Sequence, residues 1–345
     1  MQESLEGLGE FGFISRIRAR LSQGPGVVLG PGDDAALLRL DPRMLALFTV
    51  DAMVEGVHFD LALSSAADVG WKLLVASVSD AAAMGGRPLF AVASVGAPAG
   101  TDLAVAEGFL EGLAEAAETY GVSVVGGDVV RAPVLTASLS LIGEVAEDAV
   151  LRRSGARTGD ALVVVGGLGA AAAGLELLRS ATSGGEGARR LLAEEASLAS
   201  AHRRPRGLVS EGGRLAGLGV RCAIDVSDGL AADAGHICEE SGVGVVVEAS
   251  RVPLAAGVER AGALLHTDPL RLALAGGEDF ALAAAVPQGL VEQVVEAFES
   301  EALAPIAVCG RFTLPGQGRW LALPDGSRRP LEGGWDHFAS GSGRP

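Results

Sequence analysis

Short apolar runs rich in Val, Ile, Leu and Phe alternate along this chain with longer Ala-, Leu- and Glu-rich stretches of helical period, the pattern of an α/β protein. The runs predict strands over 44–50, 89–95, 123–125, 135–142, 161–165, 220–224, 243–248 and 280–286, most of them bounded by Gly, Pro or Asp. The longer stretches predict helices over 66–84, 103–120, 171–180, 230–240 and 291–299, with Gly85-Gly86, Gly121 and Gly242 placed to end three of them. After the strand at 135–142 comes LRRSGARTGD, polar and rich in turn residues, which sets a boundary between domains at 1–147 and 148–345. The stretch 181–214 carries Arg, Glu, Ser and Gly with its acids interspersed, and reads as solvated helix and loop.

Length and composition narrow the picture. The 345 residues are 49% hydrophobic and 20% charged, enough apolar surface for two globular domains. The formal net charge of -16 opposes the phosphate attraction on which nucleic-acid binding depends, so neither nucleic acid nor an anionic membrane is an expected partner. Lys72 is the only lysine, and it stands between Trp71 and Leu73. That context matches neither a P-loop nor the strand lysine of a protein kinase. Three cysteines without a Cys-x-x-Cys pair fit reduced thiols in the cytoplasm. No segment has the length of apolar sequence that spans a bilayer.

The candidate chemistry lies in the aspartates. Asp33 and Asp34 fall in GPGDDAAL, Asp51 follows the strand at 44–50, Asp128 follows VVGG, and Asp225 and Asp228 frame IDVSDGL. Asp80 falls on the helix at 66–84. Apart from Asp80, each carboxylate is expected at the carboxyl end of a strand or beside a glycine turn, where open α/β sheets bind ligands. Asp and Gly are also ordinary turn and cap residues, and Asp228 can be read simply as a helix cap. If these carboxylates converge, each like-charge contact near 4 Å costs about 4 kcal/mol at an effective dielectric near 20, so a cation must offset them. Oxygen donors with no cysteine or paired histidine select Mg2+, which also takes ligands from substrate phosphates.

Other signals are weaker. GLGAAA, beginning at Gly167, follows an apolar strand and matches the G-x-G-x-x-A dinucleotide fingerprint, but the acid expected about 20 residues on would be Glu186, which is not at a strand end. No two of the five histidines have helical metal spacing. His58 lies seven residues after Asp51, and Arg152-Arg153 reads either as a solvated hinge or as a phosphate clamp.

Taken in order, GPGDDAALL, TVDAMVEGVHF, WKLLVASVSDAAAMGGRP, GGDVVR, LRRSGARTGD, IDVSDGL and AGGEDF resemble the thiamine-monophosphate kinase family, within the aminoimidazole ribonucleotide synthetase-like superfamily. The resemblance runs over nearly the whole chain. It implies two α/β domains with mixed sheets and flanking helices, the first dimerising through its sheet, with nucleotide and several Mg2+ in a cleft between domains. It implies transfer of a phosphoryl group from ATP to thiamine monophosphate, giving thiamine diphosphate. Carried over by position, Asp34, Thr49, Asp51, Asp80, Asp128, Asp225 and Asp228 would bind Mg2+. Gly127, Asp128, Arg153 and Ser227 would contact ATP, and His58, Glu278 and Trp335 would line the thiamine phosphate site. Asp51, Asp128 and Arg153 would carry catalysis. Val50 stands where a hydroxyl residue is often a ligand, Ser77 where Asn is expected and Phe280 where Tyr is common. Other readings are selenophosphate synthetase, a purine-pathway ligase, a nucleotide-binding scaffold and, outside the superfamily, a Rossmann dehydrogenase. The first expects a reactive Cys near the N-terminus, whereas the first cysteine here is Cys222.

Overall fold

The structure, a computed structural model, describes residues 5–8, 16, 21, 23–31 and 35–335. The chain divides into two compact units, one of Met1–Ala81 with Gly86–Glu147, the other of Ala82–Gly85 with Asp148–Pro345. In the first, β1 (Val27–Leu29) and β2 (Leu37–Leu38) make a small antiparallel pair. Its main sheet joins β3 (Leu45–Val54), β4 (Arg87–Ala97), β5 (Ser123–Arg131) and β6 (Thr136–Val145) in the order β3-β6-β4-β5, with only β4 and β5 parallel.

Alternation along β3 decides which face of this sheet is covered. Leu47 and Met53 are buried, and Thr49 and Asp51 lie between them on the same face. Helix α1 (Ala66–Ala83) lies against that face, with Leu73, Leu74 and Val78 fully buried. It packs on α2 (Leu103–Tyr120) through glycines: a Cβ at Gly112 would meet the Ala67 carbonyl oxygen at 1.8 Å, and one at Gly70 the Phe109 oxygen at 2.0 Å. The even positions of β3 point the other way. Phe48 is 71% exposed and Val50 61%, so among the described residues this sheet has a bare apolar face.

The second unit is built on seven strands. They are β7 (Ala161–Val165), β8 (Cys222–Val226), β9 (Gly244–Glu248), β10 (Ala281–Val286), β11 (Ile306–Thr313), β12 (Arg319–Ala322) and β13 (Arg328–Pro330). Their order is β13-β12-β9-β11-β7-β10-β8. Successive residues of β7 and β10 enter two different cores. Leu162, Val164, Ala281, Ala283 and Ala285 join one, and Ala161, Val163, Val165, Leu282, Ala284 and Val286 join the other. A strand buried on both faces must be apolar at every position, which is why ALVVV and ALAAAV carry no alternation.

Helices α3 (Ala170–Thr182), α4 (Glu186–Glu194), α5 (Ala196–Arg203), α6 (Val209–Gly217), α7 (Leu230–Ser241), α8 (Val258–Leu265), α9 (Pro269–Ala275) and α10 (Val291–Ser300) accompany the sheet; α6, α7 and α10 join its two cores, while α3, α4, α5, α8 and α9 form a satellite core around Leu177, Leu191, Leu198 and Val258. The stretch expected as solvated helix and loop is thus three helices. Their exposed faces are polar, but Leu191, Leu198, His202 and Glu211 are buried, and short amphipathic helices with so few apolar positions give a weak periodic signal. Several strand ends also differ from expectation. β3 runs on to Val54, β5 to Arg131 and β8 to Val226, so Asp51, Asp128 and Asp225 lie inside strands rather than after them. Gly126-Gly127 reads as a turn locally, yet the parallel pairing with β4 carries the strand through it.

Candidate functional site

In the first unit, i, i+2 spacing on β3 puts Thr49 and Asp51 on one face, and i, i+3 spacing on α1 puts Ser77 and Asp80 opposite them. The Thr49 hydroxyl donates to the Asp80 carboxylate, and Ser77 Oγ donates to Asp51 Oδ2 at 2.7 Å. Burial, and next the charge of Asp80, push the Asp51 carboxyl up to about 6, against the Ser77 hydrogen bond, which pulls it down. Ser77 therefore takes a defined place in this group, using the hydroxyl where an amide was expected. His58 turns back at the end of β3, where its Nδ1 accepts from the Val54 N–H at 3.0 Å. That bond places the neutral ring's proton on Nε2.

Asp128 is not gathered with them. In the register across the sheet, Asp51 shares a row with Leu139, Ala93 and Gly127, and Asp128 falls in the next row, with Ala52, Ser138 and Ser94. Three strand steps of about 4.8 Å separate β3 from β5, so within one chain Asp128 stands roughly 14 Å away, on the bare face. Gly127 has a packing reason to be glycine: a Cβ there would meet the Ala93 carbonyl oxygen at 2.1 Å. Asp34 lies outside the described residues.

The second unit brings together three motifs far apart in sequence. Asp225 is buried in β8, and the loop Ser227–Gly229 leads from it into α7. Against this loop packs 276–280, with the Glu278 N–H donating to the Ser227 carbonyl at 2.8 Å and the Phe280 N–H to Val226 at 3.0 Å. The Trp335 N–H donates to the Asp228 carbonyl at 3.1 Å. Glu278 and Phe280 hold left-handed backbone, with φ of 60° and 47°, a strained conformation for such residues. A Cβ at Gly277 would meet the Ser227 oxygen at 2.6 Å, so the two loops touch backbone to backbone. Arg153 is exposed at the opposite end of β8, where its carbonyl accepts from Cys222 Sγ.

Two residues on α7 escaped the sequence reading. Ligand atoms of Asp228, Asp233 and His236 all lie within 4.8 Å of one another. Asp233 is buried, and its carboxyl is pushed up to about 8 by that burial and by the charges of Asp228 and Asp225. The signal that marks them in the sequence is Asp-x-x-His, one helical turn on a single face, which the spacing of histidines alone does not reveal.

Asp279 resolves the glycine fingerprint. Its carboxylate accepts from the Gly169 N–H at 2.7 Å and the Ala171 N–H at 3.1 Å, filling the N-terminus of α3 where a pyrophosphate would bind. Burial raises its carboxyl to about 7 despite those bonds. The preceding strand β7 has antiparallel neighbours on both sides, unlike the parallel sheet of a dinucleotide-binding fold.

Two α/β units with acidic groups built on strand-to-helix packing define a protein of the AIR synthase related class. The description "AIR synthase related protein, N-terminal domain" matches residues 32–145, and the corresponding C-terminal domain matches 157–319. A thiamine-monophosphate kinase from Mycobacterium tuberculosis (strain H37Rv) is 38% identical over 284 residues, 81% of each chain. The crystal structure of thiamine-monophosphate kinase from Stenotrophomonas maltophilia K279a is 35% identical with a TM-score of 0.79, covering 92% of this chain and 97% of that one. A structure of AaThiL complexed with AMPPCP and TMP is 31% identical with a TM-score of 0.75, covering 98% and 100%. The chain belongs to the thiamine-monophosphate kinase family. No described helix is long and apolar enough to cross a membrane.

Proposed function

We infer that this chain catalyses ATP-dependent phosphorylation of thiamine monophosphate to thiamine diphosphate. The observation that carries this reading is the likeness, along nearly the full length of both chains, to a relative holding AMPPCP and TMP together. A phosphate oxygen of the acceptor attacks the γ-phosphorus of ATP, the bond to the bridging oxygen breaks, and ADP leaves. The acceptor phosphate is largely ionised at neutral pH, so the step needs no general base. The difficulty is bringing two polyanions into line in an acidic protein.

The donors fit Mg2+. Asp51 and Asp80 are neighbouring carboxylates, with Asp51 raised by burial and then by the charge of Asp80, and Asp233 is raised by burial and then by the charges of Asp228 and Asp225. Thr49, Asp51 and Asp80 would hold cation in the first unit, and Asp225 and Asp228 in the second, with Asp34 as a further carboxylate donor and Asp128 as a separate one on the bare face. When bound, the ions supply positive charge that offsets the repulsion between phosphates. Gly127, Arg153 and Ser227 contact the nucleotide in this reading, while the His58 Nε2–H, the Glu278 carboxylate and the Trp335 ring line the acceptor site. Three buried free cysteines suit a reducing cytoplasm.

ADP release should occur with thiamine monophosphate and stay at background with unphosphorylated thiamine or an aminoimidazole precursor. Equal release with thiamine would overturn the assignment of the acceptor.

The first unit serves as the ATP- and Mg2+-binding and dimerisation domain, and the second completes the nucleotide and acceptor sites. The bare face of the first sheet supports the dimer, since Phe48, Val50, Val92 and Val130 are all exposed on it. By sedimentation the native protein should run at twice the 34.7 kDa chain mass, and Phe48→Asp at the chain mass itself. A native monomer at micromolar concentration would sink this part of the reading.

A further inference from the structure

The proposed acceptor contacts include Glu278, whose carboxylate is one-third exposed, and what stands behind it has no role so far. His202, 3% exposed near the end of α5, has its Nδ1 3.4 Å from Glu278 Oε2. That spacing is inside ion-pair range, while the angles are not those of a hydrogen bond. The ring sits on a rigid support. Helix α5 packs on α3 so closely that a Cβ at Gly174 would meet the Leu198 carbonyl oxygen at 2.0 Å. The loop carrying Glu278 is pinned on both sides, by Asp279 at the start of α3 and by the backbone bonds to Ser227 and Val226. The backbone of Glu278 is thus fixed in a strained conformation, but a glutamate side chain retains three rotatable bonds.

We propose that His202 is a positioning residue which orients the Glu278 carboxylate toward the acceptor substrate. Its Nδ1 lies at ion-pair distance from one carboxylate oxygen on the buried side, a contact that favours the rotamer aimed at the acceptor. The proposal rests on the reading of Glu278 as a substrate contact. A buried histidine kept merely to fill the core would be indifferent to which ring nitrogen is preserved.

Asparagine and glutamine separate these roles, because an Asn side-chain amide reaches the place of His Nδ1 and a Gln amide that of Nε2. Steady-state kinetics on His202→Asn should give a KM for thiamine monophosphate within about 3-fold of the native protein. His202→Gln should raise it about 10-fold, as loss of a group that orients a ligand does, with the KM for ATP unchanged in both. Glu278→Gln should raise the same KM, and adding His202→Gln to it should cause no further rise. If Glu278→Gln leaves the KM for thiamine monophosphate unchanged, the substrate-contact reading fails. If Glu278→Gln raises that KM while His202→Gln does not, or while Asn and Gln act alike, or while both substrates' KM values rise together, positioning by His202 is overturned and the role of Glu278 stands.

Discussion

Asp51→Asn should lower turnover by at least about 1,000-fold while making the chelator-treated protein more stable than the native one. Both effects come from one arrangement. The Asp51 carboxyl stands near 6 in the folded chain because burial and Asp80 disfavour its charge, against an ordinary value of 3.8. A folded-state value raised by about 2 units corresponds to roughly 3 kcal/mol against folding once the group is ionised. The sign fixes the pH window. Between about pH 4 and 6 the folded chain binds the extra proton, so native stability falls as pH rises through that interval and levels off above it. The advantage of Asp51→Asn should therefore be small at pH 4 and fully developed above pH 6. Added Mg2+ should stabilise the native protein and close the gap. Thermal melts across pH with chelator and with Mg2+, run beside the kinase assay, check all of this. Retained turnover in the variant at saturating Mg2+, or lower stability in chelator, would contradict the assignment of Asp51.

The second large effect concerns folding. Gly112→Ala should destabilise the first unit by about 3 kcal/mol or more, although alanine is intrinsically the better helix former by about 1 kcal/mol. The added methyl would sit 1.8 Å from the Ala67 carbonyl oxygen, which is backbone and cannot rotate aside. Separating α1 from α2 also disturbs the helix that presents Ser77 and Asp80 to β3. The matched control is Gly213→Ala in α6, where nothing lies within 4 Å of the new Cβ. That change should stabilise by about 1 kcal/mol. At about 2–4 °C per kcal/mol, melting of the affected unit should fall by about 6–12 °C in the first case and rise slightly in the second. A melt of Gly112→Ala equal to the native one would mean the helices part without cost.

The strands that form the middle of each sheet were legible because their chemistry is local. ALVVV at 161–165 is apolar at every position since both faces are buried, and helix 103–120 ends on Gly121 in left-handed conformation as its position suggested. Strand ends were less legible, because partner strands decide them: β5 continues through Gly126-Gly127 only by pairing with β4. Late strands such as Ile306–Thr313 went unread because IAVCGRFT is interrupted by a glycine, which pairs through an irregularity in the β7 register.

For the site, residue types were more legible than groupings. The pairing of Thr49 and Asp51 with Asp80 depends on a helix lying across a strand, which spacing along the chain does not express. Asp128 shows the converse, a motif residue that folding of one chain leaves on another face. Asp233 and His202 were invisible as site groups because each sits in a helix whose remaining residues read as ordinary amphipathic surface.

The left-handed backbone at Glu278 also restricts how this position can drift over evolutionary time. Glycine or asparagine would relieve the local conformation but surrender the acid, and a β-branched residue would keep neither the acid nor a comfortable backbone. Aspartate keeps a charge on a shorter arm. Lineages that change the acceptor molecule should therefore vary this site through a narrow alphabet, and shift the ring behind it in step.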